Sequence, residues 1–136
     1  MEGKKIWIAT IGDTEQKVVV KFTQQYATDV HQACAGKGIA PLLLYADPVG
    51  YGWTMVIMEY LEGYNTLYSR RNQLSEDLRK SVHEKLKILH DMGFVHGDMR
   101  FLNILLGPGG EVKFVDFEWA GKIRDVKYPS MKLSVN

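Results

Sequence analysis

Two stretches of the chain decide its fold. The first is Phe94-Val95-His96-Gly97-Asp98-Met99-Arg100-Phe101-Leu102-Asn103-Ile104-Leu105-Leu106, and the second is Glu111-Val112-Lys113-Phe114-Val115-Asp116-Phe117-Glu118. Between them lies Gly107-Pro108-Gly109-Gly110, turn chemistry with no helix after it and so no phosphate cradle. The apolar runs predict paired strands at about 103–106 and 111–115. His96, Asp98, Arg100 and Asn103 precede the first strand, and Asp116 leaves the end of the second. In a hairpin the start of one strand lies beside the end of the other, so Asn103 and Asp116 are expected as neighbours. An amide oxygen converging with a carboxylate suits Mg²⁺ shared with phosphate oxygens. Asp98, five residues before Asn103 in an irregular loop, is within reach to accept a proton from a substrate hydroxyl.

Upstream, the clearest helix is predicted at 76–92. Ser75 is its N-cap, Glu76 and Asp77 sit in the positive first turn, and Gly93 closes it. Leu78, Val82, Leu86 and Leu89 form its apolar stripe. A polar segment from Glu62 to Gln73, carrying one short helix, separates it from the N-terminal region. There, strands are expected at 5–11 and 16–22 around the turn Gly12-Asp13-Thr14-Glu15, with the β-branched run Val18-Val19-Val20 in the second. A helix over 24–36 follows, with Tyr26, Val30, Ala33 and Cys34 on one face. Strands at 41–46 and 53–60 flank a turn containing Pro48, Gly50 and Gly52, and the second is apolar enough to be covered on both faces. The last twenty residues show no strong periodicity.

The spacing H-x-D-x-x-x-x-N from His96 to Asn103, followed by strand, turn, strand and Asp116-Phe117, resembles the catalytic core of the protein-kinase-like fold. His96-Gly97-Asp98 carries Gly where protein kinases usually carry Arg, and this H-G-D form is similar to aminoglycoside and choline phosphotransferases and other atypical kinases. The resemblance covers roughly residues 5–120. It implies an α+β, two-lobed fold in minimal form. Residues 1–58 would form a small antiparallel sheet with one helix, 59–64 a hinge, and 65–136 a shortened, mostly helical lobe with the catalytic hairpin.

The same resemblance implies a set of roles. Val18-Val19-Val20-Lys21 is similar to V-A-I-K, whose lysine contacts the α- and β-phosphates. In the family an acid on the next helix holds that lysine, and Asp29, at the border of the apolar helix face, is the acid available. Met58-Glu59-Tyr60-Leu61 lies where adenine would bond to backbone, at the carbonyl of Glu59 and the amide and carbonyl of Leu61. Val19 would be part of the roof over adenine and Leu105 its floor. Asp98 would be the base or orienting group, Arg100 a charge near the transferring phosphoryl group, and Asn103 and Asp116 the metal ligands. ATP and Mg²⁺ are the implied cofactors. His96 would brace the loop.

Departures accompany the matches. No G-x-G-x-x-G precedes Lys21, no A-P-E occurs, Asp116-Phe117-Glu118 replaces D-F-G, and the segment after Asp116 is short. Three readings follow: a phosphotransferase acting on a protein or small-molecule hydroxyl, a pseudokinase or regulatory nucleotide-binding domain, or a kinase fragment completed by a protein partner over the shortened lobe.

Composition is consistent with a compact fold. The 136 residues are 46% hydrophobic and 24% charged, which is too apolar for a disordered chain. A net charge of +1 argues against a generic nucleic-acid or anionic-membrane binder. The single cysteine, Cys34, points to a reducing, cytoplasmic setting, and on an apolar helix face it reads as an inert thiol. No apolar run reaches the roughly 18 residues that span a bilayer. Trp53, Met55 and Met58 read as core, and His31, His83 and His90 as surface or helix residues.

Overall fold

The structure is a computed structural model that describes residues 5–124. Of the last twenty residues, 125–136 lie outside the described residues.

The N-terminal half is a four-stranded antiparallel sheet in the order β1-β2-β4-β3. Its strands are β1 (Lys5–Ile11), β2 (Gln16–Thr23), β3 (Leu43–Gly50) and β4 (Trp53–Glu59). β4 has neighbours on both sides, and none of its residues is exposed, in keeping with its nearly all-apolar sequence. β3 is an edge strand, which is why Pro48 falls within it rather than in the expected turn: an edge strand can spare a backbone donor. The register shifts at Pro48/Gly50, and the turn reduces to Tyr51 and Gly52.

α1 (Thr28–Gly36) begins four residues later than the apolar spacing suggests. The backbone of residues 25–27 is used elsewhere. Thr23 Oγ1 donates to the Gln25 carbonyl at 3.0 Å, and Ala27 N donates to the Phe117 carbonyl at 3.1 Å. Tyr26 therefore lies outside the helix, and the buried face of α1 is Val30, His31 and Cys34. His31, expected near the surface, is fully buried.

α2 (Glu76–Asp91) keeps its expected caps. Ser75 Oγ accepts from Leu78 N at 3.1 Å, and Gly93, at φ +87°, donates to the His90 carbonyl at 2.9 Å. Leu89 is fully buried, and Leu78, Val82 and Leu86 pack half-buried against the core. The polar segment before α2 holds the short strand β5 (Asn65–Thr66) and a 3₁₀ turn at Leu67–Arg70. After α2 come β6 (Phe94–Val95), a 3₁₀ turn at Phe101–Asn103, β7 (Ile104–Leu106), β8 (Val112–Phe114) and β9 (Gly121–Lys122). β5, β7 and β8 form a three-stranded sheet, and β6 pairs with β9.

One core joins the halves. Val30, Cys34 and Ile39 from the N-terminal half pack with Leu89, Ile104, Val112, Phe114 and Phe117. Backbone bonds cross the same seam: Phe114 N donates to the Ile39 carbonyl at 2.8 Å, alongside the Ala27–Phe117 bond. The molecule is an α+β fold built on a small antiparallel sheet and two helices. Among the described residues, no helix is long and apolar enough to cross a membrane.

Candidate active site

β2 carries Val19 and Lys21 two residues apart, hence on one face, and that face lines an open cleft. Ile6, Met58, Glu59 and Leu61 line it from the N-terminal half, and Leu102, Leu105, Val115 and Asp116 from the hairpin. Its walls are largely apolar with a few charged groups at the back, the usual make-up of a small-molecule site.

Lys21 is 2% exposed, yet its ammonium has two acids. Nζ lies 2.5 Å from Asp116 Oδ1 and 2.7 Å from Glu118 Oε2. A cation so deeply buried persists only when paired. Tyr26 closes the same corner, its ring centroid 5.4 Å from Nζ. Burial, and then the charges of Glu118 and Asp116, push the Tyr26 hydroxyl far above the ordinary phenol range, so it stays protonated.

Asp29 does not hold Lys21. It is exposed in the first turn of α1, where its Oδ1 accepts from Val30 N at 2.9 Å. The late start of α1 places this residue beside the helix's own first amides and turns it away from the sheet. The acid that sequence reasoning missed is Glu118. Its signal was a carboxylate two residues after Asp116, at the position where D-F-G has none.

The loop from His96 to Asn103 is held from within. His96 Nε2–H donates to the Val115 carbonyl at 2.7 Å, and its Nδ1 accepts from Asp98 N at 3.2 Å. Both ring nitrogens are thus used by a neutral imidazole, and burial lowers the His96 pKa. Asn103 Nδ2 donates to the Asp98 carbonyl at 2.8 Å and to Asp98 Oδ2 at 3.3 Å. Asn103 also accepts at its backbone carbonyl from Val115 N at 3.0 Å, which sets it one residue from Asp116 across the hairpin. Asp116 itself sits at φ +66°, a conformation that Asp tolerates better than most residues. Arg100 Nε is 3.5 Å from Asp98 Oδ1, with both side chains well exposed. Asp98, Arg100 and Asn103 therefore form one cluster on the hairpin side, adjoining the Lys21–Asp116 pair. At the other end of the cleft, Glu59 Oε1 accepts from Leu42 N at 2.7 Å, and the Leu61 carbonyl accepts from Tyr64 N at 3.3 Å.

Gly97 explains the H-G-D sequence in steric terms. Its φ is +90°, and a Cβ there would stand 2.2 Å from the Trp119 carbonyl oxygen and 2.7 Å from its carbon. The segment after Asp116 passes directly over Gly97, so an arginine has no place there.

Among the described residues, no three His, Cys, Asp or Glu side chains gather as a metal cage. Mg²⁺ shared with phosphates needs only one or two protein oxygens, and the donor set here fits that demand. Asp116 offers a carboxylate, and Asn103, its Nδ2 spent on Asp98, can offer only Oδ1.

A family model described as protein kinase domain matches residues 11–135. The chain is 35% identical over 77 residues to the serine/threonine-protein kinase PknA of Corynebacterium glutamicum, covering 52% of this chain and 16% of that protein. It is 30% identical over 112 residues to the EKC/KEOPS complex subunit bud32 of Dictyostelium discoideum, covering 76% of this chain and 43% of that one. Among solved structures, the PK-1 kinase of the Cydia pomonella granulovirus superposes with a TM-score of 0.74 at 17% identity, over 92% of this chain and 51% of that one. The chain thus spans about half or less of the length of each of these relatives. With fold, loop order and family match in agreement, the chain belongs to the protein kinase domain family.

Proposed function

We propose that this chain is the core of an ATP- and Mg²⁺-dependent phosphotransferase that passes the γ-phosphoryl group to a hydroxyl acceptor. The observation that supports this most is a buried lysine, paired with the acid that leaves a hairpin, at the back of an otherwise apolar cleft. Val19 and Leu105, on separate sheets, would sandwich the adenine, with the backbone of Glu59–Leu61 along its edge. Lys21 would orient the α- and β-phosphates. Asp116 and Asn103 would hold Mg²⁺, which when bound neutralises charge on the phosphate oxygens. Asp98, fixed by Asn103 and His96, would orient the acceptor hydroxyl and take its proton. Arg100, already close to Asp98, would add positive charge on the exposed side.

A second reading, nucleotide binding without turnover, draws on the β1–β2 turn. It contains one glycine, Gly12, and closes on itself through Thr14 Oγ1 donating to the Ile11 carbonyl at 2.7 Å. A turn folded in this way is a poor phosphate lid.

Thermal unfolding with ATP, with Mg²⁺ and with both tests the binding claim. A ligand at 100 times its Kd stabilises by about 2.7 kcal/mol. Stabilisation that needs both components and disappears in Asp116→Asn is the expected result, and no shift under any condition would overturn the reading. ATP turnover that is lost in Asp98→Asn while nucleotide stabilisation persists would separate the enzyme from the non-catalytic alternative.

A further inference from the structure

We propose that Glu118 positions Lys21, in the place of an acid on α1. The catalytic meaning of this rests on the phosphotransferase reading above, but the pairing rests on the ligand-free geometry alone. The two acids on Lys21 are not equivalent. Asp116, at the hairpin's end, is the carboxylate a metal would claim, and an anion that shares its charge with a divalent ion holds an ammonium less strongly. Glu118 carries no such second claim. Its side chain is 12% exposed, with Oε2 2.7 Å from Nζ, and its backbone carbonyl accepts from Gln25 Nε2 at 2.7 Å. That second bond ties the glutamate's own backbone to the chain just after β2, the strand that carries Lys21.

α1 provides no substitute. Its one acid, Asp29, is exposed and bonded to Val30 N. His31, the buried polar side chain of α1, has its ring tethered to the Pro41 carbonyl at 2.8 Å and to Tyr26 Oη at 2.7 Å. Tyr26, over the ammonium, keeps its proton and brings no charge. With Asp116 engaged by a metal, Glu118 is the carboxylate left beside Lys21 Nζ to hold it aimed at phosphate.

The test uses the whole chain and three changes: Glu118→Gln, which keeps shape and removes charge; Glu118→Asp, which keeps charge and shortens reach; and Asp29→Asn. The first readout is the rate at which acetic anhydride modifies the Lys21 amine in the ligand-free protein, followed by mass spectrometry. The second is the Kd for MgATP. Glu118→Gln is expected to speed modification several-fold and to weaken MgATP by about tenfold, from the loss of one close opposite charge on the ammonium. Glu118→Asp is expected to recover some of the protection. A purely steric role would favour Gln, the closer shape, over Asp. Asp29→Asn is expected to change neither readout. Unaltered modification in Glu118→Gln, or an equal rise in Asp29→Asn, would overturn the proposal. A wild-type chain that fails to bind MgATP would defeat the phosphotransferase reading by itself, while the modification rates would still decide the Lys21–Glu118 pairing.

Discussion

Gly97 shows how one missing methyl shapes the site. The Trp119 carbonyl occupies the space a side chain would need, and φ is in the left-handed region. Both penalties fall on any replacement. Gly97→Ala is expected to destabilise the fold by about 3 kcal/mol in urea unfolding, from strain plus overpacking. Gly97→Arg, the residue usual in the family's motif, should be worse rather than better. His31 sets a second residue-scale expectation. Burial lowers its pKa to about 4, and the nearby Lys21 charge acts in the same direction, while the bond to the Pro41 carbonyl opposes them. The folded pKa lies below the unfolded value near 6.5, so the unfolded chain takes up the proton first. Stability from this group is full above about pH 6.5 and falls as pH drops toward 4, by about 3 kcal/mol at most. Unfolding free energies of wild type and His31→Gln across that window check this, and the difference between them should shrink as pH falls.

At the scale of elements, α2 is the clearest case of sequence dictating structure. Its cap, its acidic first turn, its apolar stripe and its terminal glycine are all local signals, and the helix follows them to within a residue. Ser75→Ala should cost about 1 kcal/mol of stability, and Leu89→Ala about 2–5 kcal/mol, by denaturant unfolding. α1 is the opposite case. Its apolar spacing extends back to Tyr26, but Ala27 N is taken by Phe117, ninety residues away in the chain, and no local pattern carries that information. The same distant contact hid the partner of Lys21. A helix read from residue 24 brings Asp29 toward the sheet, whereas the real start turns it outward and leaves Glu118 in position. His31 was misplaced for a related reason: a polar residue near an apolar face reads as exposed until its two bonding partners, Tyr26 and Pro41, are placed around it. The Asn103–Asp116 approach was legible because hairpin pairing follows from the order of two short strands and a turn. β6 and β9, two residues each, carry too little sequence to announce themselves.

Across the whole molecule, the N-terminal sheet does not stand apart from the hairpin. Phe117 is fully buried, stacked on His31 at 4.8 Å between ring centroids and tilted against His96 at 5.1 Å. It touches both halves at once, so removing it should loosen both. Phe117→Ala is expected to cost about 3–5 kcal/mol, with fluorescence from Trp7 and Trp53, read in a Trp119→Phe background, and helical circular dichroism falling in a single shared transition. Two separated transitions would mean that the halves hold together less firmly than their common core implies.

That seam also has a pharmacological side. A compound that needs Phe117 to vacate its place must pull the ring away from both histidines and break the Ala27 bond before it gains any contact of its own. One that enters from the front meets Ile6 and Leu102, both half open to water, and displaces only solvent. Chemistry aimed at this chain should find its affinity at the mouth of the cleft rather than behind it.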